Sequence, residues 1–94
     1  MSSERRAVGP VLTSGPVTDA VVAAIRVLNG EVTVVDRGAY LRVLAPDRCR
    51  LTAAEVARWL GQPFRLPGDL EIIMPSFRGR LRLGADEAVW EAVP

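Results

Sequence analysis

The side chains that could do chemistry are few, and the missing types decide more than those present. The 94-residue chain contains no histidine, which removes the commonest general base and the commonest metal ligand. Cys49 is its single cysteine. Arg48 and Arg50 flank it, and cationic neighbours lower a thiol pKa. With no imidazole to take its proton, the expected role of Cys49 is that of a small buried apolar side chain. One thiol without histidine cannot build a zinc cluster. Asp86 and Glu87 are adjacent acids, but neighbours on a strand point to opposite faces, and a Gly84-Ala-Asp-Glu87 turn leaves both in solvent. No glycine-rich phosphate loop or dinucleotide fingerprint is present. Catalysis would have to run on carboxylates and arginines alone. No catalytic, cofactor-binding or metal-ligating residue is assigned.

The basic residues are all arginine. On a strand, Arg78, Arg80 and Arg82 would share one face, with Leu81 and Leu83 opposite. Such a row suits a protein-docking patch, or a solvated face that discourages edge-to-edge pairing. A single-stranded nucleic-acid surface would also want aromatics for stacking, and only Phe77 is near. The net charge of +1 predicts no electrostatic pull toward nucleic acid or membrane. Trp59 is expected in the core, while Trp90 can be placed on neither side of its strand.

The elements that must hold these residues follow from pattern and punctuation. Residues 1–7 read as a polar tail, and residues 8–94 as one domain, since a chain of this length has room for one hydrophobic core. Val8 to Leu12 is a first strand, with Pro10 pointing to an edge or a strand end. Pro16 opens a helix over Val17–Leu28 whose apolar arc includes Val27, with Thr18 and Val22 on the polar side; Asn29-Gly30 stops it. Glu31–Asp36 and Ala39–Ala45 form a hairpin about Arg37-Gly38. Leu41, Val43 and Ala45 share one face of its second strand, and Tyr40, Arg42 and Leu44 the other. A short strand through Cys49 leads to a helix capped by Thr52 and Glu55 and stopped by Gly61. Leu70–Met74, a segment ending near Leu83, and Ala88–Val93 read as strands. The expected fold is α+β, two helices on mainly antiparallel sheet in the order β-α-β-β / α-β-β-β. No leader or run of roughly 20 apolar residues is visible, and a lone cysteine fits a reducing compartment, so the expected location is cytoplasmic.

Six pieces carry a resemblance along nearly the whole chain. They are Val8-Gly-Pro-Val11, Val32-Thr-Val-Val-Asp-Arg37, Ala39-Tyr-Leu-Arg-Val43, Leu60-Gly-x-Pro-Phe64, Leu70-Glu-Ile72 and Ser76-Phe-x-Gly79. Together they resemble the effector, or coupling, proteins of soluble multicomponent di-iron monooxygenases, closest to the toluene and alkene type. The resemblance implies a cofactor-free regulatory subunit that binds the large subunit of a di-iron hydroxylase and couples dioxygen activation to hydrocarbon oxidation. Electrons would come through a separate reductase, in some systems by way of a Rieske ferredoxin. The residues expected at the hydroxylase are Ser76, Phe77, Arg78 and Gly79, read as a turn, with Arg80 and Val22 beside them. In that turn Gly79 either allows close approach of the partner or merely permits the bend, and Phe77 either anchors the contact or fills the core. A protein-binding module of an unrelated assembly is the alternative.

Overall fold

Alternating apolar residues and short turns fold into two antiparallel sheets that share one core with the helices. The computed structural model describes residues 6–94. Along the chain lie β1 (Ala7–Thr13), α1 (Pro16–Leu28), β2 (Thr33–Asp36), β3 (Tyr40–Pro46), β4 (Arg48–Thr52) and α2 (Ala53–Leu60). They are followed by α3 (Gly68–Ile73), β5 (Ser76–Arg78), β6 (Arg80–Leu83) and β7 (Glu87–Glu91). One sheet has four strands in the order β2-β3-β1-β5, the other three in the order β4-β7-β6. Val8 and Leu12 of β1, Val43 and Ala45 of β3, Cys49 and Leu51 of β4, and Ala88 and Trp90 of β7 face inward and are buried. Val21, Ala24 and Ile25 of α1 and Val56 of α2 join them. Each fully buried Leu, Ile or Val contributes roughly 1.5–3 kcal/mol, so this shared interior holds together elements too short to persist alone.

Helix α2 shows the local logic. Its 8 residues could not form an isolated helix in water. The Thr52 hydroxyl accepts from the Glu55 amide at 3.2 Å, and Gly61, left-handed at φ 77°, donates its amide to the Ala57 carbonyl. Thr52 and Gly61 therefore cap the two ends, as the sequence pattern predicts, but the Glu55 side chain does not return to the Thr52 amide to complete the expected capping box. The Glu55 carboxylate accepts the Trp59 indole N–H at 3.0 Å. Trp59 is 55% exposed, not part of the core. Helix α1 ends in a side-chain clamp. The Asn29 amide donates to the carbonyls of Ile25 (2.7 Å) and Arg50 (2.9 Å), and its oxygen accepts the Arg50 amide at 2.9 Å. The side chain thus stops the helix and pairs with the open edge of β4, as a neighbouring strand would.

Several expectations are corrected. Leu70–Met74 is not a strand: Gly68–Ile73 is a third helix. Its burial decides between the two, because Leu70 is buried while Ile72 is 79% exposed, whereas a strand would put both on one face. The Asp69 carboxylate, which accepts the Arg65 amide at 2.8 Å, helps fold the entry to this helix. Pro10 lies in an inner strand, not at an edge. It is tolerated because the β1–β3 pairing passes from Val8↔Ala45 to Val11↔Arg42 with no pair at Gly9 or Pro10. At Gly9 a Cβ would meet the Val43 carbonyl oxygen at 2.0 Å, so only glycine lets the two strands cross here. On α1 the buried arc is rotated from expectation. Thr18 is buried with its hydroxyl donating to the Thr13 carbonyl, which removes the cost of burying it. Val27 is exposed, and Val22 is half-buried against the core. At the N-terminus β1 already opens at Ala7. The Arg6 carbonyl accepts the Asp47 amide at 2.7 Å, so these two residues belong to the fold. The rest of the expected tail, residues 1–5, lies outside the described residues.

Candidate docking surface

The thiol offers no nucleophile. Cys49 is buried opposite Trp90 in the β4–β7 pairing, and burial pushes its pKa up to about 12. Desolvation of the thiolate outweighs the flanking arginines, because Arg48 and Arg50 point to the opposite face of β4. Among the described residues no cluster of three or more His, Cys, Asp or Glu side chains could hold a metal ion. No described helix is long and apolar enough to cross a membrane. Chemistry therefore gives way to surfaces.

The expected turn Ser76-Phe77-Arg78-Gly79 is an exposed edge strand followed by a sharp corner. Among the described residues strand β5 pairs only with β1, in the register Gly9↔Arg78, Pro10↔Phe77 and Val11↔Ser76. Ser76, Arg78, Gly79 and Arg80 are exposed, and Phe77 is 42% exposed, so Phe77 does not fill the core. At Gly79 (φ 100°) the chain leaves the four-stranded sheet, and Arg80 begins β6 in the other. A Cβ at Gly79 would lie 2.6 Å from the Glu91 carbonyl oxygen and 2.9 Å from Val8 Cγ1. The requirement for glycine is thus internal, where the two sheets meet. Arg78 and Gly79 border an open cleft of about 770 Å³ with Arg6, Val8 and Val93. Val22 lies elsewhere: α1 packs chiefly on α2 and β4, so the structure does not bring Val22 to the β5 edge.

The arginine row is split by the same corner. On β6, Arg80 and Arg82 point outward, with Leu81 and Leu83 packed inward, as alternation predicts. Arg82 donates to Glu91 at 3.0 Å, Arg50 to Glu87 at 2.8 Å, and Arg48 lies 4.0 Å from Glu91. The hydrogen bond from Arg50 holds the Glu87 carboxyl below its ordinary pKa. Exposed pairs of this kind add little stability; their effect here is to offset part of the positive charge on the outer face of the three-stranded sheet, where four arginines stand against two glutamates. Val89 sits in the middle of that face, between Arg50 and Arg82 in register, and is nearly fully buried. Flanking arginine stems can shield such a side chain while their charged ends stay in water.

The outer face of the four-stranded sheet differs. Val35 of β2, Tyr40, Arg42 and Leu44 of β3, Val11 and Thr13 of β1, and Ser76 and Arg78 of β5 share it by register. The sequence grouped Tyr40, Arg42 and Leu44 on one side of their strand. It did not show that β1 and β5 extend that side into a continuous surface, because the strand order is not sequential.

Residues 6–91 match the MmoB/DmpM family. The chain is 40% identical over 85 residues to the effector subunit of the alkene monooxygenase system of Xanthobacter autotrophicus strain Py2, covering 88% of this chain and 83% of that protein. Its fold is similar to a chain in the solved complex of phenol hydroxylase with its regulatory protein, with a TM-score of 0.82 at 17% identity, over 92% of this chain and 98% of that one. It is also similar to the regulatory protein B of soluble methane monooxygenase, with a TM-score of 0.70 at 20% identity, over 99% of this chain and 70% of that one.

Proposed function

Since this chain belongs to the MmoB/DmpM family, we propose that it is the cofactor-free effector subunit of a multicomponent alkene- or toluene-type monooxygenase in the cytoplasm. In this reading it binds the large subunit of the di-iron hydroxylase and couples dioxygen activation to hydrocarbon oxidation. A reductase, with or without a Rieske ferredoxin, supplies the electrons. The observation that carries the reading is the 40% identity to an alkene monooxygenase effector subunit over 88% of this chain.

The mechanism is thermodynamic. An effector changes its hydroxylase only by binding one conformation more tightly than another. A differential affinity of about 1–3 kcal/mol shifts a minor productive state by roughly 5–150-fold. A domain of two sheets and three helices around one core suits this task, because little ordering entropy is lost when it docks. In this reading Ser76, Phe77 and Arg78 on the β5 edge, with Gly79 and Arg80 at the corner, touch the hydroxylase. Phe77 supplies an aromatic anchor, and the arginines supply the charge common at interfaces. Val22 is a second, separate contact on α1.

The test is hydrocarbon oxidation and peroxide release by the reconstituted system, with and without this chain. Phe77→Ala and Arg78→Ala, each checked for an unchanged melting curve, are expected to need about ten-fold more protein for half-maximal coupling. Unchanged coupling at subsaturating dose would remove the β5 edge from the interface. An unchanged rate and product yield with the wild-type chain at saturation would remove the function.

A further inference from the structure

A standard protein interface buries about 800 Å² on each partner, roughly one-seventh of the 5478 Å² exposed by this chain. The 3 residues of β5 cannot supply that area, so a docking surface that includes them must continue onto a neighbouring face. Two arginine-bearing sheet faces are available, and they differ in how far their arginines are paired. The outer face of the three-stranded sheet carries four arginines and two glutamates. Arg50 pairs with Glu87, Arg82 with Glu91, and Arg48 lies close to Glu91, which leaves Arg80 as its one arginine without a carboxylate partner among the described residues. On the four-stranded sheet, the outward strand positions carry no Asp or Glu at all. Asp36, at the end of β2, pairs with Leu41 on the opposite parity, and its carboxylate holds the Gly38 amide at 2.7 Å.

Arg42, Arg78 and the hairpin residue Arg37 have no carboxylate partner among the described residues. Between Arg37 and Arg42 lies a cleft of about 550 Å³ lined also by Val11, Thr13, Tyr40 and Ser76. Tyr40 is 42% exposed, and Val11, Val35 and Leu44 are only half-buried. The face is therefore apolar at its centre, cationic across its width, and continuous with β5 through Ser76 and Arg78.

We propose that the outer face of the β2-β3-β1-β5 sheet, centred on Tyr40 and Arg42, is the main docking surface for the hydroxylase, and that it receives a carboxylate-bearing patch of that protein. This rests on the effector reading above. Unpaired arginines gain most from opposing carboxylates when an interface excludes water, because a guanidinium can hold a carboxylate through two parallel hydrogen bonds. Tyrosine adds contact area at low entropic cost.

The test measures the dissociation constant of this chain for its co-expressed hydroxylase between 50 and 200 mM NaCl. Arg37→Glu and Arg42→Glu are expected to weaken binding by about 10-fold or more each at low salt and to flatten its salt dependence. Tyr40→Ala is expected to weaken binding by about 10-fold, while Arg42→Lys retains most of it. Arg58→Glu, an equal charge change on the exposed side of α2, is expected to change it less than two-fold. Melting curves identify any variant that fails to fold; Arg37 and Tyr40 are exposed, so their variants test the face even if Arg42→Glu unfolds. Tight wild-type binding with all these variants within two-fold, or with Arg58→Glu equally weak, overturns the face and leaves the effector function standing. Absence of wild-type binding overturns both.

Discussion

Replacing Gly79 by alanine separates two reasons for a glycine at the corner between β5 and β6. If the missing side chain makes room for a partner, Gly79→Ala should leave the isolated protein intact and harm only binding. The structure predicts the opposite. At φ 100° a non-glycine residue stores about 1–3 kcal/mol of backbone strain. The new methyl would sit 2.6 Å from the Glu91 carbonyl oxygen, a backbone atom that cannot rotate away, and 2.9 Å from Val8 Cγ1. Overpacking of this kind costs about 1–3 kcal/mol. The sum, about 2–6 kcal/mol, compares with a total stability of roughly 5–14 kcal/mol for a domain of this length. Thermal unfolding followed by circular dichroism should show Tm falling by about 10 °C or more, since each kcal/mol shifts a small domain by about 4–8 °C. Adding Val8→Ala should restore only part of the loss, because the Glu91 oxygen remains. A Gly79→Ala protein melting within about 2 °C of wild type would refute this account of the corner.

Two further outcomes follow from the core. Asn29→Ala removes three hydrogen bonds, one that closes the end of α1 at the Ile25 carbonyl and two that tie it to Arg50 on the open edge of β4, and at about 1 kcal/mol each it should cost about 3 kcal/mol in urea unfolding. Asn29→Asp should cost at least as much, since a carboxylate oxygen then faces the Ile25 and Arg50 carbonyls; a variant as stable as wild type would contradict the clamp. Cys49, with its pKa raised to about 12, should resist iodoacetamide at pH 8 in the folded protein and react readily in urea. Because the folded thiol binds its proton more tightly than the unfolded one, its contribution to stability is complete below the ordinary value of 9.0 and is lost as pH rises from there toward 12. Rapid native-state alkylation would show that the thiol is not buried as described.

Much of the frame was legible from residue order alone. Thr52, Glu55 and Gly61 mark both ends of α2, and the inward set Val43 and Ala45 follows from simple alternation. These signals are local, and local chemistry determines them. The failures share a different cause. Leu70–Met74 is short and apolar enough to suit either a strand or a helix; only packing of Leu70, with Ile72 left outside, decides it. Trp59 looked like core because tryptophan usually is, yet the Glu55 carboxylate gives its indole a partner at the surface. The β5 edge was found as a motif, but its neighbours were not, because β1 reaches it across 60 and more residues of chain. The difference in arginine pairing between the two sheet faces depends on which glutamates lie opposite which arginines. That is a property of register, invisible until the strands are paired.

The two tryptophans occupy opposite extremes. The Trp90 indole is sealed in the interior with its N–H unpaired, while Trp59 is 55% exposed and its N–H is bound to Glu55. The molecule therefore carries two optical reporters whose signals can be told apart without labelling. Trp90 should emit at shorter wavelength and be shielded from dissolved iodide, changing only when the interior opens. Trp59 should emit at longer wavelength, be quenched readily, and dim or shift if a partner covers α2. Selective quenching can then distinguish a protein that has unfolded from one that has been covered on its helical side.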